Sequence, residues 1–237
     1  MSFSVVIPSR SAANLAPCIR AIREAGETAR IIVVDDGVDW GVVGDVSAWP
    51  VEVIAGIKPF VFARNVNLGI RKAAEDDVVV LNDDAMLKTK SGFSLLASVT
   101  RWSGYGLLAA ACDTVGNPNQ FRRQDGRQLR DEPRMVCFVC VYIPRSTIQT
   151  VGPLDERFIH YGMDDDDYSL RVRLAGMKLG VLDDCYVDHG SLQSSYRGGP
   201  QAGGDFRPNM RLFIEKWGTD NWGHGRETSE FKELFPE

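Results

Sequence analysis

The chain holds only three histidines in 237 residues, five cysteines, and no run of about 18 apolar residues. Each shortage closes off a class of protein. Without an apolar run of that length the sequence offers no membrane-spanning helix. The start, MSFSVVIPSR, reaches Pro8 without the basic and apolar segments of a signal peptide. A soluble, cytoplasmic protein is expected, and there an odd number of cysteines reads as reduced thiols rather than a disulfide framework. Cys137 and Cys140 spell C-x-x-C inside MVCFVCVYI, which reads as a buried strand with the two thiols on opposite faces; no second pair completes a zinc site.

Glycine-rich phosphate loops are missing as well. VDDGVDWGVVGD contains glycines, but neither GxGxxG nor GxxxxGK[ST] follows a strand. The net charge of −5 gives no general attraction for nucleic acid or an anionic membrane. Only the stretch FRRQDGRQLRDEPR, residues 121 to 134, concentrates basic residues, and it reads first as a solvated loop.

What is present is an alternation. FSVVIP, ARIIVVDD, PVEVIAG and DDVVVLND are short Val- and Ile-rich runs that end in polar residues. Between them lie NLAPCIRAIREAG, with Leu15, Ile19 and Ile22 at helical spacing before Gly26, and ARNVNLGIRKAAE, with Val66, Ile70 and Ala73. Near-continuous apolar strands separated by amphipathic helices predict an α/β fold: a mainly parallel, mixed sheet covered on both faces. Ligands of such sheets bind beyond the carboxyl ends of the strands, here Pro8-Ser9, Asp35-Asp36 and Asn82-Asp83-Asp84.

The second half reads as a helix in FSLLASVTRW, strands in GLLAAACD and MVCFVCVYIP, a helix opened by four aspartates, a strand in KLGVLDDCYVDHG, and a last helix in NMRLFIEKWG. The Gly-rich stretch 191–208 is expected to be mobile, with a lid that orders on ligand binding as one reading. No repeat and no early linker divides the chain. One domain over 1–218 is expected, with a nucleotide-binding half, 1–86, an acceptor-side half, 87–218, and a tail, 219–237.

Asp83 and Asp84 are read either as a turn or as oxygen ligands of a divalent cation that bridges the phosphates of a nucleotide. His189 is a candidate further ligand, and an imidazole favours Mn²⁺ over Mg²⁺. Arg64, opening a helix, suits a diphosphate. In FIHYGMDDDDYSLRVRLAG the acids Asp164 to Asp167 complement a helix N-terminus, one of them as its cap, and Asp167 with Arg171 forms an i, i+4 pair. Four adjacent carboxylates exceed what a helix start needs, and crowding raises pKa values toward the range of a general base. The alternating acids and distal Glu of an EF-hand are absent.

Taken in order, VVIPSR, VVDDG, ARNVNLGI, LNDD, VGPLDERFIHYGMDDDDYSLRVRLAG, VDHG and FIEKWG resemble the inverting nucleotide-sugar glycosyltransferases of the GT-A fold, the family that includes rhamnosyltransferases and other bacterial glycan transferases. The resemblance implies that Pro8, Ser9 and Asp35 line the base and ribose, and that Arg64 and Asn65 lie beside the nucleotide. Asn82-Asp83-Asp84 stands in the place of the family's DXD motif, with Asp83 near the ribose or donor sugar and Asp84 on the metal, Mn²⁺ or Mg²⁺. Asp165 matches the catalytic base, flanked by Asp164 and Asp167, and His189 matches a residue that completes the metal site. The implied donor is a UDP- or dTDP-sugar, and the acceptor is a hydroxyl of a glycan, a lipid-linked molecule or, given the basic stretch, a nucleic acid. Asn82 for the first acid, Asp164 for the usual Glu, and Val38-Asp39-Trp40 after VVDDG depart from the pattern, and the last leaves the base open. The alternatives are a metal-dependent nucleotidyltransferase and a non-catalytic nucleotide-sugar or glycan-binding module.

Overall fold

A computed structural model of the chain describes residues 2–44, 46, 49–123, 129–192 and 205–218. The first half alternates as its sequence implies: β1 (Phe3–Ser9), α1 (Ala12–Glu24), β2 (Arg30–Asp35), a short α2 (Trp40–Val43), β3 (Val51–Ala55), α3 (Phe62–Lys72) and β4 (Asp77–Leu81). It continues through β5 (Met86–Leu87), α4 (Gly92–Ser103), β6 (Tyr105–Cys112), β7 (Leu129–Asp131), β8 (Cys140–Ile143), α5 (Arg145–Val151), α6 (Asp164–Leu174), β9 (Lys178–Asp188) and α7 (Arg207–Trp217).

All the strands join one sheet in the order β3-β2-β1-β4-β8-β6-β9-β5, with β7 also paired to β9. The pairs β1–β2, β2–β3, β1–β4 and β6–β9 are parallel, whereas β8 runs antiparallel between β4 and β6. The expected mixed sheet is therefore present. Because β6 and β9 share the direction of β4, the carboxyl ends of β1, β2, β4, β6 and β9 and the amino end of β8 all lie on one edge. Strand order reverses at β1, whose neighbours β2 and β4 leave in opposite directions, and such a switch point is where open α/β sheets bind ligands.

Both faces are dry because successive strand residues alternate between them. Val5, Ile7, Ile31, Val33 and Val79 meet Leu15, Ile19, Ile22, Phe93 and Leu96 of α1 and α4. Val6, Ile32, Val34, Val78 and Val80 meet Val66, Ile70, Ile148, Tyr168 and Val172 of α3, α5 and α6. Helix α3 lies so close to β1 that a Cβ on Gly69 would sit 2.2 Å from a Val6 methyl, so only glycine fits there.

Three details depart from the sequence reading. MVCFVCVYI forms a strand only over Cys140–Ile143. The N-cap of α6 is Met163, in the left-handed region at φ 71°, and not an aspartate. Cys140 is buried as expected, but Cys137 is only half-buried; all five cysteines are free. Most of the Gly-rich stretch, 193–204, and the tail, 219–237, lie outside the described residues, and with them the lid reading.

Helix α4 is capped from outside. Its preceding residue, Ser91, makes no side-chain cap, and buried Glu27 instead accepts from Phe93 N at 2.7 Å, Ser94 N at 3.0 Å and Ser94 Oγ at 2.8 Å. Orphan N–H groups at a helix start are costly when buried. Substituting Glu27 by Ala should lower stability by about 2 kcal/mol, read by urea denaturation, while Glu27→Gln should lose less.

Candidate functional site

The carboxyl edge of the sheet collects the acids. At the switch point Ser9 Oγ donates to Asp83 Oδ2 at 2.7 Å, and Asn14 Nδ2, on the first turn of α1, approaches Asp83 Oδ1 at 3.4 Å. Asp83 and Asp84 are both buried. The ends of β4 and β1 are thereby locked together through one carboxylate.

Asp84 faces His189, with Oδ1 3.2 Å from Nε2. The other ring nitrogen, Nδ1, lies 2.6 Å from the Thr114 carbonyl, which can only accept, so Nδ1 carries a proton. Asp113 Oδ1 accepts from His189 N at 2.7 Å and also receives Gly190 N, fixing the loop that bears the ring. Nε2 and a carboxylate oxygen at this separation need positive charge between them, either a proton on the imidazole or a metal cation. Burial pushes the His189 pKa down, but Asp84 and the Thr114 carbonyl outweigh it and hold it above its ordinary value. A nitrogen and an oxygen donor, the imidazole oriented from behind by the Thr114 carbonyl, suit Mn²⁺ or a similar ion. Among the described residues no group of three metal-ligating side chains converges. Further ligands for an ion here would come from outside this set, as phosphate and water oxygens do in nucleotide sites.

The expected nucleotide residues occupy the same edge with varied freedom. Pro8 and Ser9 pair with Val34 and Asp35 across β1 and β2. Asp35 accepts from Gly37 N at 2.7 Å, Val38 N at 2.8 Å and Trp40 Nε1 at 2.7 Å. Burial pushes its pKa up, and the hydrogen bonds from Trp40, Val38 and Gly37 more than reverse this, leaving it below the usual range. Arg64 reaches Glu156, 3.6 Å away. Asn65 is fully buried and accepts from Ile57 N at 3.0 Å, so it braces the turn between β3 and α3.

The four aspartates of α6 separate. Asp167, fully buried, turns away to α7 and accepts from Arg171 Nε at 2.9 Å, Lys216 Nζ at 2.6 Å and Trp217 Nε1 at 2.9 Å. Asp164 is buried, and burial first, then the charge of Asp165, raises its pKa far above the carboxylate range. Asp165 and Asp166 are half-buried. Burial raises Asp165, against hydrogen bonds from Asp166 and from the Phe138 backbone. Burial, followed by the Asp165 charge, raises Asp166 further. Among the described residues Asp164, Asp165 and Asp166 make no ion pair with Lys or Arg.

One short segment joins the two acid groups. Val139 O accepts from Asn82 N at 2.9 Å, beside Asp83 and Asp84, while the neighbouring Phe138 N–H lies near Asp165 and favours its ionised form. Sequence reasoning missed Asn14, Asp113 and Thr114. Asp113 had a readable signal, since it follows the apolar run GLLAAAC as Asp83 follows DDVVVLN; Asn14 and Thr114 had none.

A parallel α/β half with paired acids at its switch point, joined to an antiparallel β8 and to a second acid cluster at the start of α6, defines the GT-A class of glycosyltransferases. Residues 4–134, more than half of the chain, match the model of glycosyl transferase family 2, and the chain belongs to that family. Solved structures with the same fold include GalNAc-T7 with UDP, GalNAc and Mn²⁺, at TM-score 0.68 and 15% identity over 91% of this chain and 48% of that one. TarS 1–349 of S. aureus gives 0.66 and 15% over 99% and 69%. The mannosyltransferase PcManGT of Pyrobaculum calidifontis, in complex with GDP-Man and Mn²⁺, gives 0.67 and 15% over 98% and 67%. The chain spans about half the length of the GalNAc-T7 chain. No curated protein matches it significantly in sequence.

The division of the aspartates is measurable. Asp167→Asn should cost about 3 kcal/mol by leaving Lys216 and Arg171 without a buried anion. Asp164→Asn should instead raise Tm at pH 8. A folded pKa above the unfolded one means that the folded state binds more protons, so wild-type stability falls as pH rises between the two values, and Asn removes that loss. Thermal melts of both variants at pH 5 and pH 8 separate the two behaviours.

Proposed function

We propose that this protein is a metal-dependent inverting glycosyltransferase that moves a sugar from a nucleoside diphosphate donor to a hydroxyl acceptor, with Asp165 as general base. The observation that carries this reading is the segment Phe138-Val139, whose Val139 carbonyl accepts from Asn82 N at 2.9 Å while the Phe138 N–H lies near Asp165 and favours its ionised form. It sets a base candidate beside the strand end that would hold the donor. Mn²⁺ accompanies UDP in one similar structure and GDP-Man in another, which supports a diphosphate donor and a divalent cation and leaves the base open between the UDP or dTDP expected from sequence and GDP.

In this reading Asp84 and His189 hold Mn²⁺ or Mg²⁺, which when bound supplies neutralising charge to the diphosphate leaving group. Asp83, fixed by Ser9 and Asn14, serves the ribose or donor sugar. Arg64 adds charge at the nucleotide, while Pro8, Ser9 and Asp35 border the base and ribose, with Asn65 bracing the turn behind them. The acceptor oxygen bonds to the anomeric carbon as the bond from that carbon to the diphosphate oxygen breaks. The hydroxyl proton passes to an Asp165 carboxylate oxygen, and the electron pair leaves with the diphosphate. Attack opposite the leaving group inverts the carbon. Burial raises the basicity of Asp165, while Asp167 serves by anchoring α6. A non-catalytic binding module remains the contrasting reading, and it forbids any turnover dependent on Asp165.

Asp165→Asn should reduce kcat by about 10³-fold while leaving donor affinity within twofold, measured by initial rates and calorimetry; retained turnover removes Asp165 as base. A base must be ionised, so the wild-type kcat/KM should rise with pH along an acid limb displaced upward from the ordinary carboxylate value of about 4.

Asp84→Ala should weaken nucleotide binding in Mn²⁺ by at least about tenfold and leave binding in EDTA unchanged. Equal affinities in Mn²⁺ for the two proteins would remove Asp84 from the metal site.

A further inference from the structure

The loop between Arg157 and Met163 carries apolar side chains outward just before the acid cluster. Ile159 is 47% exposed and Tyr161 59%, and Phe206, immediately ahead of α7, is 43% exposed. Phe206 Cβ lies 3.7 Å from the point where a side chain on Gly162 would begin, so the ring's residue packs directly on this loop. The loop is held there by a buried polar group. Asn209 accepts from His160 N at 3.2 Å through Oδ1 and donates from Nδ2 to the Gly162 carbonyl at 2.6 Å, so one side chain fixes both sides of Tyr161.

Two successive left-handed residues, Gly162 at φ 75° and Met163 at φ 71°, then turn the chain into α6. A non-glycine residue costs energy in that conformation, and such strain persists where the surroundings enforce it. From Tyr161 to Asp165 the chain spans at most about 14 Å, a distance that one or two pyranose rings cover. The charged neighbours Asp205 and Arg207 close on each other with bonds of 2.7 and 2.9 Å, so the patch offers ring faces and aliphatic carbon rather than net charge.

We infer that Tyr161 and Phe206, flanked by Ile159, form the acceptor subsite, a platform for the C–H face of an uncharged pyranose ring whose hydroxyl is presented to Asp165. The assignment rests on the glycosyltransferase reading above, because only a base at Asp165 makes a ligand at this loop an acceptor. Aromatic rings bury large area at low entropic cost and keep an amphipathic edge, which suits a ring that is apolar on its faces and polar around its rim. Asn209 is a positioning residue that acts through the loop backbone. Arg130 of the basic stretch, by contrast, lies on β7, which pairs with β9, and is already paired with Asp183 at 2.7 Å.

The test uses the full chain and two readouts. Thermal shift with Mn²⁺ and UDP or GDP reports the donor site. Saturation-transfer NMR with methyl glycosides of glucose, galactose, mannose, rhamnose and N-acetylglucosamine, and with glycerol 3-phosphate as the anionic comparison, reports the platform. At least one methyl glycoside should show saturation of its ring C–H protons. That signal should fall at least fivefold in Tyr161→Ala and in Phe206→Ala and be restored in Tyr161→Phe, while the nucleotide shift stays the same in all variants. No glycoside binding alongside an intact nucleotide shift overturns the platform and leaves the donor reading standing. Glycoside binding indifferent to both alanine variants, or glycerol 3-phosphate binding that depends on Tyr161, also overturns it. Failure of both nucleotides to stabilise the unaltered protein sinks the donor reading, and the acceptor assignment with it.

Discussion

The arrangement turns on a short distance between two groups that cannot share it alone. Asp84 Oδ1 and His189 Nε2 lie 3.2 Å apart, and with Nδ1 already committed to the Thr114 carbonyl the pair must enclose a positive charge. Much of the fold serves to bring them there. β4 delivers Asp84, β9 delivers His189, and β6, lying between β8 and β9, delivers the Asp113 and Thr114 that orient the imidazole. Because β6 and β9 run parallel to β4, their carboxyl ends reach one edge, whereas a reversed β9 would put His189 on the opposite side of the molecule.

The second acid group reaches that edge through an interruption of the sheet. From residue 136 to 138 the backbone gives up regular pairing and bonds side chains instead: Val136 N to Ser169 Oγ at 3.2 Å and Cys137 N to Gln120 Oε1, with the Phe138 N–H near Asp165. Buried N–H groups must be satisfied somewhere, and here α6 and the turn at Gln120 satisfy them. A regular strand through this segment would turn Val136 N and Cys137 N to a neighbouring strand and release Ser169 of α6 and Gln120.

That interruption also marks where sequence reasoning stops. Elements up to β4 were legible because each apolar run is buried on both faces and each helix buries one stripe, as Val5, Ile7, Leu15 and Ile19 show. MVCFVCVYI was read as one strand because hydrophobicity reports burial, and burial does not say whether a backbone pairs with another strand or with side chains. The acids at Asp83, Asp84 and Asp165 were legible from their places after a strand and at a helix start. Their supports, Asn14 and Thr114, were not, because they depend on contacts distant in sequence. Asn65 was read as a nucleotide neighbour, and its buried side chain spends its oxygen on Ile57 N, a use no local pattern discloses.

The run Asp164 to Asp167 shows how one residue type acquires different tasks without any change of chemistry. Successive helical positions are about 100° apart, so four residues sample the whole circumference of the first turn. One direction faces α7, where Lys216 and Trp217, with Arg171 of α6 itself, make Asp167 an anchor. Another faces the core, where burial holds Asp164 toward its neutral form. The remaining arc opens beside Phe138, and there Asp165 and Asp166 crowd each other with no described cation to relieve them. The helix start tolerates this because its N–H groups and dipole favour negative charge. The same dipole would stabilise four ionised acids equally, so the separation of their roles comes from what packs around the helix, and the basicity of Asp165 is a property of its neighbours rather than of the acidic run.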